Sequence, residues 1–213
     1  MLADLKSKAV IEPRPVATLE ERKYFLLVCE GERTEPLYFD YFKRILPKHL
    51  LEVQIIGAGD NTINVVKRAI TERDKRAADH INPPYDETWA IFDKDDFPDD
   101  HFNDAIQLAN NNRIKNGASN QAFELWYVLH FQLLQTALNR KGYFAILTKI
   151  LGFKYEKNDP EVMKAMFAKG NIQKAIKWAG MLEQMHTGKT PSASWPSTNV
   201  YKLATRLLEY ANL

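Results

Sequence analysis

Three short, largely apolar runs set the frame of the first half of the chain. Tyr24 to Cys29 (YFLLVC), Leu51 to Ile56 (LEVQII) and Trp89 to Phe92 (WAIF) have the length and the branched or aromatic content of buried strands. Between them the apolar period changes. Leu37, Tyr38, Tyr41, Phe42 and Ile45 recur at helical spacing, which predicts a helix opened by Glu35 and Pro36 and stopped by Pro47. Ile63, Val66, Ala69 and Ile70 predict a second helix, capped by Asn61 or Thr62 and running into the charged stretch Glu72 to Asp79. Phe102, Ile106 and Ala109 predict a third over 100–113, and 114–119 reads as a fourth, edge strand. Strand and helix thus alternate three times with short loops. That pattern predicts an α/β fold, a parallel sheet of about four strands flanked by helices.

Beyond Ser119 the pattern is helical. Asn120 can cap a helix that puts Phe123, Trp126, Tyr127, His130 and Phe131 on one face. Arg140 to Met185 reads as two or three helices, broken near Gly152 and around Asn158 to Pro160, and Thr187 to Pro196 reads as a loop. Ser197 or Thr198 then caps a last amphipathic helix along Val200, Leu203, Leu207 and Tyr210, expected to pack back on the sheet. Residues 1–22 carry Pro13 and Pro15 and no periodicity, so they read as a flexible or loosely docked arm. The division is an arm over 1–22, an α/β core over 23–134 and a helical part over 135–213 packed on that core.

Composition narrows the class. Of 213 residues 45% are apolar and 26% charged, as in a soluble globular protein, and no run approaches the roughly 20 apolar residues of a membrane span. The N-terminal residues hold no continuous apolar stretch of the kind a secretory signal needs. A lone Cys29 in a core strand excludes an internal disulfide and suits a reducing cytoplasm, so a cytoplasmic location without membrane attachment is expected. Net charge is only +2, yet Asp86 to Asp104 holds eight acidic residues against Lys94, and Asn139 to Lys189 holds ten Lys or Arg against four acids. An acidic pocket beside a basic surface suits an enzyme acting on a polyanion; two solvated faces would give the same asymmetry.

The chemistry follows from where the acids fall. In open parallel sheets ligands bind at the carboxyl ends of strands, and Glu30, Asp60, Asp93 and Asp95 all lie at such ends. Two apart on an extended strand, Asp93 and Asp95 would point the same way about 6.6 Å apart, a gap that Mg²⁺ or Mn²⁺ could bridge. Glu30 from a neighbouring strand completes a hard, oxygen-only set, and a glutamate there can act as general acid or base in phosphoryl transfer. Alternation turns Asp96 away from the pair and turns Lys94 to the other side, toward Asp99, Asp100 or a substrate phosphate. Glu124 answers either the helix dipole or a fourth ligand position. His130 on the aromatic stripe is more often a core histidine than a catalyst. GERTEP after the first strand is no P-loop, and a DxD on the third strand rather than the first argues against an aspartyl-phosphate phosphatase.

A glutamate-glycine pair after strand one and DxD after strand three resemble the Toprim domain of topoisomerases, primases and OLD-family nucleases. The stretches YFLLVCEGERTEPLYF, FDKDDF, SNQAFELWYVLHF and WPSTNVYKL look like the RloB family, over residues 23–131 and 195–208, with Asn120-Gln121 where relatives often carry Asn-Pro. The resemblance implies a Mg²⁺- or Mn²⁺-dependent Toprim-like nuclease of prokaryotic antiviral defence, with RNA such as tRNA favoured over DNA. Glu30 would be the general acid or base, Asp93 and Asp95 the metal ligands, and Asp96, Asn120 and Glu124 further members of the site. Lys94, Asn120 and His130 are the candidate substrate contacts. Such proteins are often encoded beside an ATPase or within CRISPR loci, which makes a partner ATPase or CRISPR-linked component an expected partner. Two other functions stay open. One is an interaction subunit docking through the aromatic face Phe123 to Phe131, and the other is a phosphoesterase or nucleotidyltransferase acting on small nucleotides. Oligomeric state is left open.

Overall fold

The computed structural model describes residues 21–211, so all but the last two residues of the expected arm lie outside the described residues. Strands β1 (Lys23–Cys29), β2 (Leu51–Gly57), β3 (Glu87–Ile91) and β4 (Lys115–Asn116) form one parallel sheet in the order β2-β1-β3-β4. Helices α1 (Thr34–Lys43), α2 (Thr62–Ala77) and α3 (Asp99–Asn111) connect them. Strand alternation divides β1 between two cores: Phe25, Leu27 and Cys29 enter one with α1, while Leu26 and Val28 enter the other with α2 and α3. The expected α/β sheet is therefore present, and its order matters for function. The chain leaves β1 on one side for β2 and returns on the other side as β3, so the crevice of a topological switch lies at the carboxyl ends of β1 and β3.

Helix faces differ from expectation in detail. In α1 the buried apolar positions are Tyr38, Phe39 and Phe42, whereas Ile45 lies past the helix end and is 54% exposed. In α2, capped by Asn61, the buried line is Val65, Val66 and Ala69. The expected edge strand splits. Only Lys115–Asn116 pairs with β3, while β5 (Ser119–Asn120) pairs antiparallel with β6 (Ser197–Thr198) in a separate two-stranded sheet. The Ser119 and Thr198 hydroxyls meet there at 2.9 Å. Asn120 is thus a strand residue and not a helix cap.

Helix α4 (Glu124–Leu129) is buried all round, and its aromatic stripe is core: Tyr38 packs against Phe123, Trp126, Tyr127 and His130 with ring centroids 5.8–6.4 Å apart. A Trp126→Ala change in such a setting costs about 3–5 kcal/mol. The face cannot also be a docking surface, which removes that route for an interaction subunit. Helices α5 (Arg140–Leu151), α6 (Pro160–Lys169) and α7 (Ile172–Met185) begin at Asn139, Asp159 and Asn171, whose side chains each accept a first-turn N–H. Helix α5 ends at Gly152 with φ 82°, the left-handed conformation that favours glycine. Helix α8 (Val200–Ala211) returns to the sheet, with Tyr210 edge-on to Phe25 and Arg206 bonded to Glu87 at 2.7 Å. Among the described residues no helix is long and apolar enough to cross a membrane.

Candidate functional site

Three of the eight acids in the acidic segment have ordinary ion pairs. Asp86 pairs with Lys23, Glu87 with Lys115 and Arg206, and Asp99 with Lys94 at 2.9 Å. Asp96, Asp100 and Asp104 are exposed to solvent, which leaves the more buried Asp93 and Asp95 to be accounted for. The Asp99 pair also settles Lys94, which is turned to Asp99 and to the Phe97 carbonyl.

Neighbouring strands carry Glu30 and Asp93 to the switch point. Each extends one or two residues past its strand, and the Asp93 N–H donates to Oε2 of Glu30 at 2.8 Å. Asp93 is 6% exposed and forms an isolated parallel bridge with Ser119, two residues beyond the end of β3. Asp95 breaks the expected alternation: its φ is 50°, a left-handed conformation that aspartate tolerates, and its N–H donates to the Gln121 carbonyl at 2.9 Å. The two aspartates come together by a turn and not by the period of a strand. What joins them is Arg140, the first residue of α5, which forms an ion pair with Asp95 and lies 4.0 Å from Asp93. Asp96 is exposed and accepts from the Gln121 side-chain amide at 2.8 Å, so it stands outside the buried group.

Two further carboxylates are buried beside Asp93. Glu124, the first residue of α4, is fully buried; its Oε1 accepts from the Tyr155 hydroxyl at 3.0 Å and lies 3.5 Å from Lys157, while its Oε2 has no partner. Glu35, near the start of α1, is 4% exposed, and its carboxylate leans over Gly31 so closely that a Cβ there would collide with it. Glycine follows Glu30 to make room for this side chain. Oδ1 of Asp93 and the Tyr143 hydroxyl are likewise buried without partners.

Electrostatics follow from this crowding. Burial raises the Glu30 carboxyl to about 7, with Glu35 and Asp95 adding to the rise, while the Asp93 N–H and Arg140 act against it. Burial, followed by the carboxylates of Glu35, Glu124 and Glu30, pushes Asp93 well above the usual aspartate range. Glu35 is raised by burial and by Glu124. Carboxylates in such number, with Arg140 and Lys157 as facing cations, are short of positive charge.

The other expected contacts lie elsewhere. His130 is 5% exposed, its Nε2 is 3.2 Å from the Tyr38 hydroxyl, and burial lowers its pKa to about 3. It is a neutral core histidine and not a substrate contact. Asn120 spends its side-chain N–H groups on the carbonyls of Pro191 and Ser192, at 3.2 and 2.7 Å, which pins the loop before β6. Clefts of about 600 Å³ and about 420 Å³ open at the amino end of β3 and at the β4 edge, away from the acid cluster, where Glu87 pairs with Lys115 and Arg206, and Glu209 with Arg206. Shape and chemistry therefore point to different places, and chemistry is the better guide because those charges are paired.

The donor set fits a hard divalent cation in kind, since it is all oxygen and includes the unpartnered atoms Asp93 Oδ1 and Glu124 Oε2. As the side chains stand, no group of three or more His, Cys, Asp or Glu among the described residues is gathered closely enough to hold an ion. Glu35, Arg140 and Gln121 are the members that pattern reading passed over. Glu35 looks like a dipole-satisfying glutamate in a first turn, and Arg140 like one cation in a basic stretch. The glycine after Glu30 was the available signal for the first of these.

A model of the RloB-like protein family matches residues 25–207. No curated protein and no solved structure gives a significant match. Spanning most of the chain and both halves of the site, the match shows that the chain belongs to the RloB-like family.

Proposed function

We propose that this RloB-like chain is a Toprim-like, Mg²⁺- or Mn²⁺-dependent nuclease that cleaves RNA such as tRNA as an effector of prokaryotic antiviral defence. One observation carries the reading: two buried carboxylate oxygens, Asp93 Oδ1 and Glu124 Oε2, lack any partner at the switch point of a parallel sheet. An ionised carboxylate left buried without a partner costs roughly 1–3 kcal/mol or more, so two such oxygens in one acid cluster support the binding of a cation. A divalent ion, when bound, offsets the phosphate charge and activates a water. Asp93 and Asp95 would hold it, with Glu124 and Glu35 closing the pocket from α4 and α1. Glu30, raised to about 7, takes the proton of the attacking water and can return one to the leaving oxygen, because both of its forms are populated near neutral pH. The RNA preference and the defence setting rest on the family resemblance. Low turnover by the isolated chain, relieved by a partner ATPase or CRISPR-linked component, fits a protein whose uncontrolled activity would harm its host.

The test is cleavage of a tRNA and plasmid panel with Mg²⁺ or Mn²⁺ by wild type, Asp93→Asn, Asp95→Asn and Glu30→Gln. Cleavage by wild type alone is the expected result, and equal cleavage by all four overturns the assignment. An interaction subunit without catalysis is the second reading, favoured by Arg140 already facing Asp95. Absence of Mn²⁺ uptake in a calorimetric titration of the wild-type chain would decide for it.

A further inference from the structure

Arg140 presents an imbalance of its own. Only its Nη2 approaches the aspartates, as an ion pair with Asp95 and 4.0 Å from Asp93, while its Nε is buried with no partner. A guanidinium offers five donors in a fork that matches carboxylate or phosphate two at a time, so a contact through one nitrogen leaves most of that capacity unused. Its place is fixed independently of the aspartates, because Asn139 caps α5 by accepting the Gly142 N–H at 3.1 Å. Two other cations near the rim, Lys94 and Lys157, are committed to Asp99 and Glu124.

An unpartnered donor thus lies in the same site as two unpartnered acceptors, Asp93 Oδ1 and Glu124 Oε2. A cation alone satisfies the acceptors and strands the arginine. An anion alone does the reverse. A divalent ion carrying a phosphate group satisfies both.

We propose that Arg140 is the resident counter-ion of the aspartate pair and also the phosphate-binding residue of the site: Asp95 holds it until a divalent cation takes Asp95, and the freed guanidinium then binds a non-bridging phosphate oxygen. This rests on the metal-dependent reading above. A part-exposed ion pair is weak enough to be exchanged, and the arginine gains a charge-assisted partner for its idle nitrogen. The site then orders its own occupancy, metal first and phosphate second.

Calorimetric titration of Mn²⁺ into wild type, Arg140→Gln and Arg140→Lys tests this, followed by inorganic phosphate titrated into each Mn²⁺-saturated protein. With its competitor removed, Arg140→Gln should bind Mn²⁺ roughly fivefold more tightly than wild type. It should also bind phosphate at least about tenfold more weakly. Arg140→Lys keeps the charge without the fork, so its Mn²⁺ affinity stays within about twofold of wild type and its phosphate affinity falls less than that of Arg140→Gln. Thermal melts in a chelator establish that each variant is folded. Unchanged Mn²⁺ affinity in Arg140→Gln, or undiminished phosphate binding, overturns the proposal. If Arg140→Gln takes up Mn²⁺ and wild type does not, the proposal stands while the reading of the free chain as a nuclease fails; if neither takes it up, both fail.

Discussion

Glu30→Gln should make the metal-free protein more stable, by an amount that grows as pH rises from about 4.5 through about 7. The folded chain holds that group at about 7, mainly through burial, against 4.5 for the unperturbed side chain. Between those values the folded state binds a proton that the unfolded state has released, so wild-type stability falls as pH rises from about 4.5 through about 7. At about 1.4 kcal/mol per unit, this linkage costs about 3 kcal/mol at pH 8 and about 0.8 kcal/mol at pH 5. Glutamine keeps an oxygen to accept the Asp93 N–H, now bonded at 2.8 Å, and carries no charge to desolvate. Urea unfolding in a chelator, followed by tryptophan fluorescence at both pH values, measures the difference. With an m-value near 2 kcal/mol/M, the midpoint of Glu30→Gln should exceed wild type by about 1.5 M at pH 8 and by only about 0.4 M at pH 5. A gain of equal size at both pH values, or a loss at pH 8, would refute the reasoning.

The remaining predictions concern positions around the acid cluster. Gly31→Ala should destabilise by about 1–3 kcal/mol through collision with Glu35, and Glu35→Ala should rescue most of that loss in a double-mutant cycle; additive effects would exclude the contact. Asn120→Ala should cost about 1–2 kcal/mol by releasing the Pro191 and Ser192 carbonyls, with Mn²⁺ affinity by calorimetry unchanged. Burial keeps His130 neutral down to about 3, whereas the unfolded chain takes up a proton near 6.5, so stability attributable to it is lost as pH falls below 6.5. His130→Gln should therefore gain about 2 kcal/mol relative to wild type on going from pH 8 to pH 5, without loss of RNA cleavage; a cleavage defect in the folded variant would return His130 to the site.

Much of the scaffold was legible because it obeys local rules. Apolar runs marked β1 to β3, Asn61 marked the start of α2, and Gly152 and Pro160 marked breaks in the helical part. The pairing of β5 with β6 was hidden, since two-residue strands carry no period and their partners lie far apart in the chain. Asn120 looked like a helix cap for the same reason, because its true partners belong to a distant loop. Glu30, Asp93 and Asp95 were found at strand ends, but the reason offered for the aspartates was wrong. A strand period does not align them; a turn at Asp95, bonded to Gln121, and a distant arginine do. Of the ten cations from 139 to 189, four form ion pairs, among them the local pairs of Lys154 with Glu156 and Lys164 with Glu161, and six form none among the described residues. Charge counts along a chain cannot separate a field from its own neutralisation.

Anomalous diffraction from crystals soaked in Mn²⁺ tests the central claim most directly. The account predicts a manganese peak about 2.0–2.2 Å from Asp93 Oδ1, sharing Asp95 and with the Arg140 guanidinium withdrawn from it. Manganese found only on surface carboxylates such as Asp99 or Glu161, with the Arg140 to Asp95 pair intact, would contradict it.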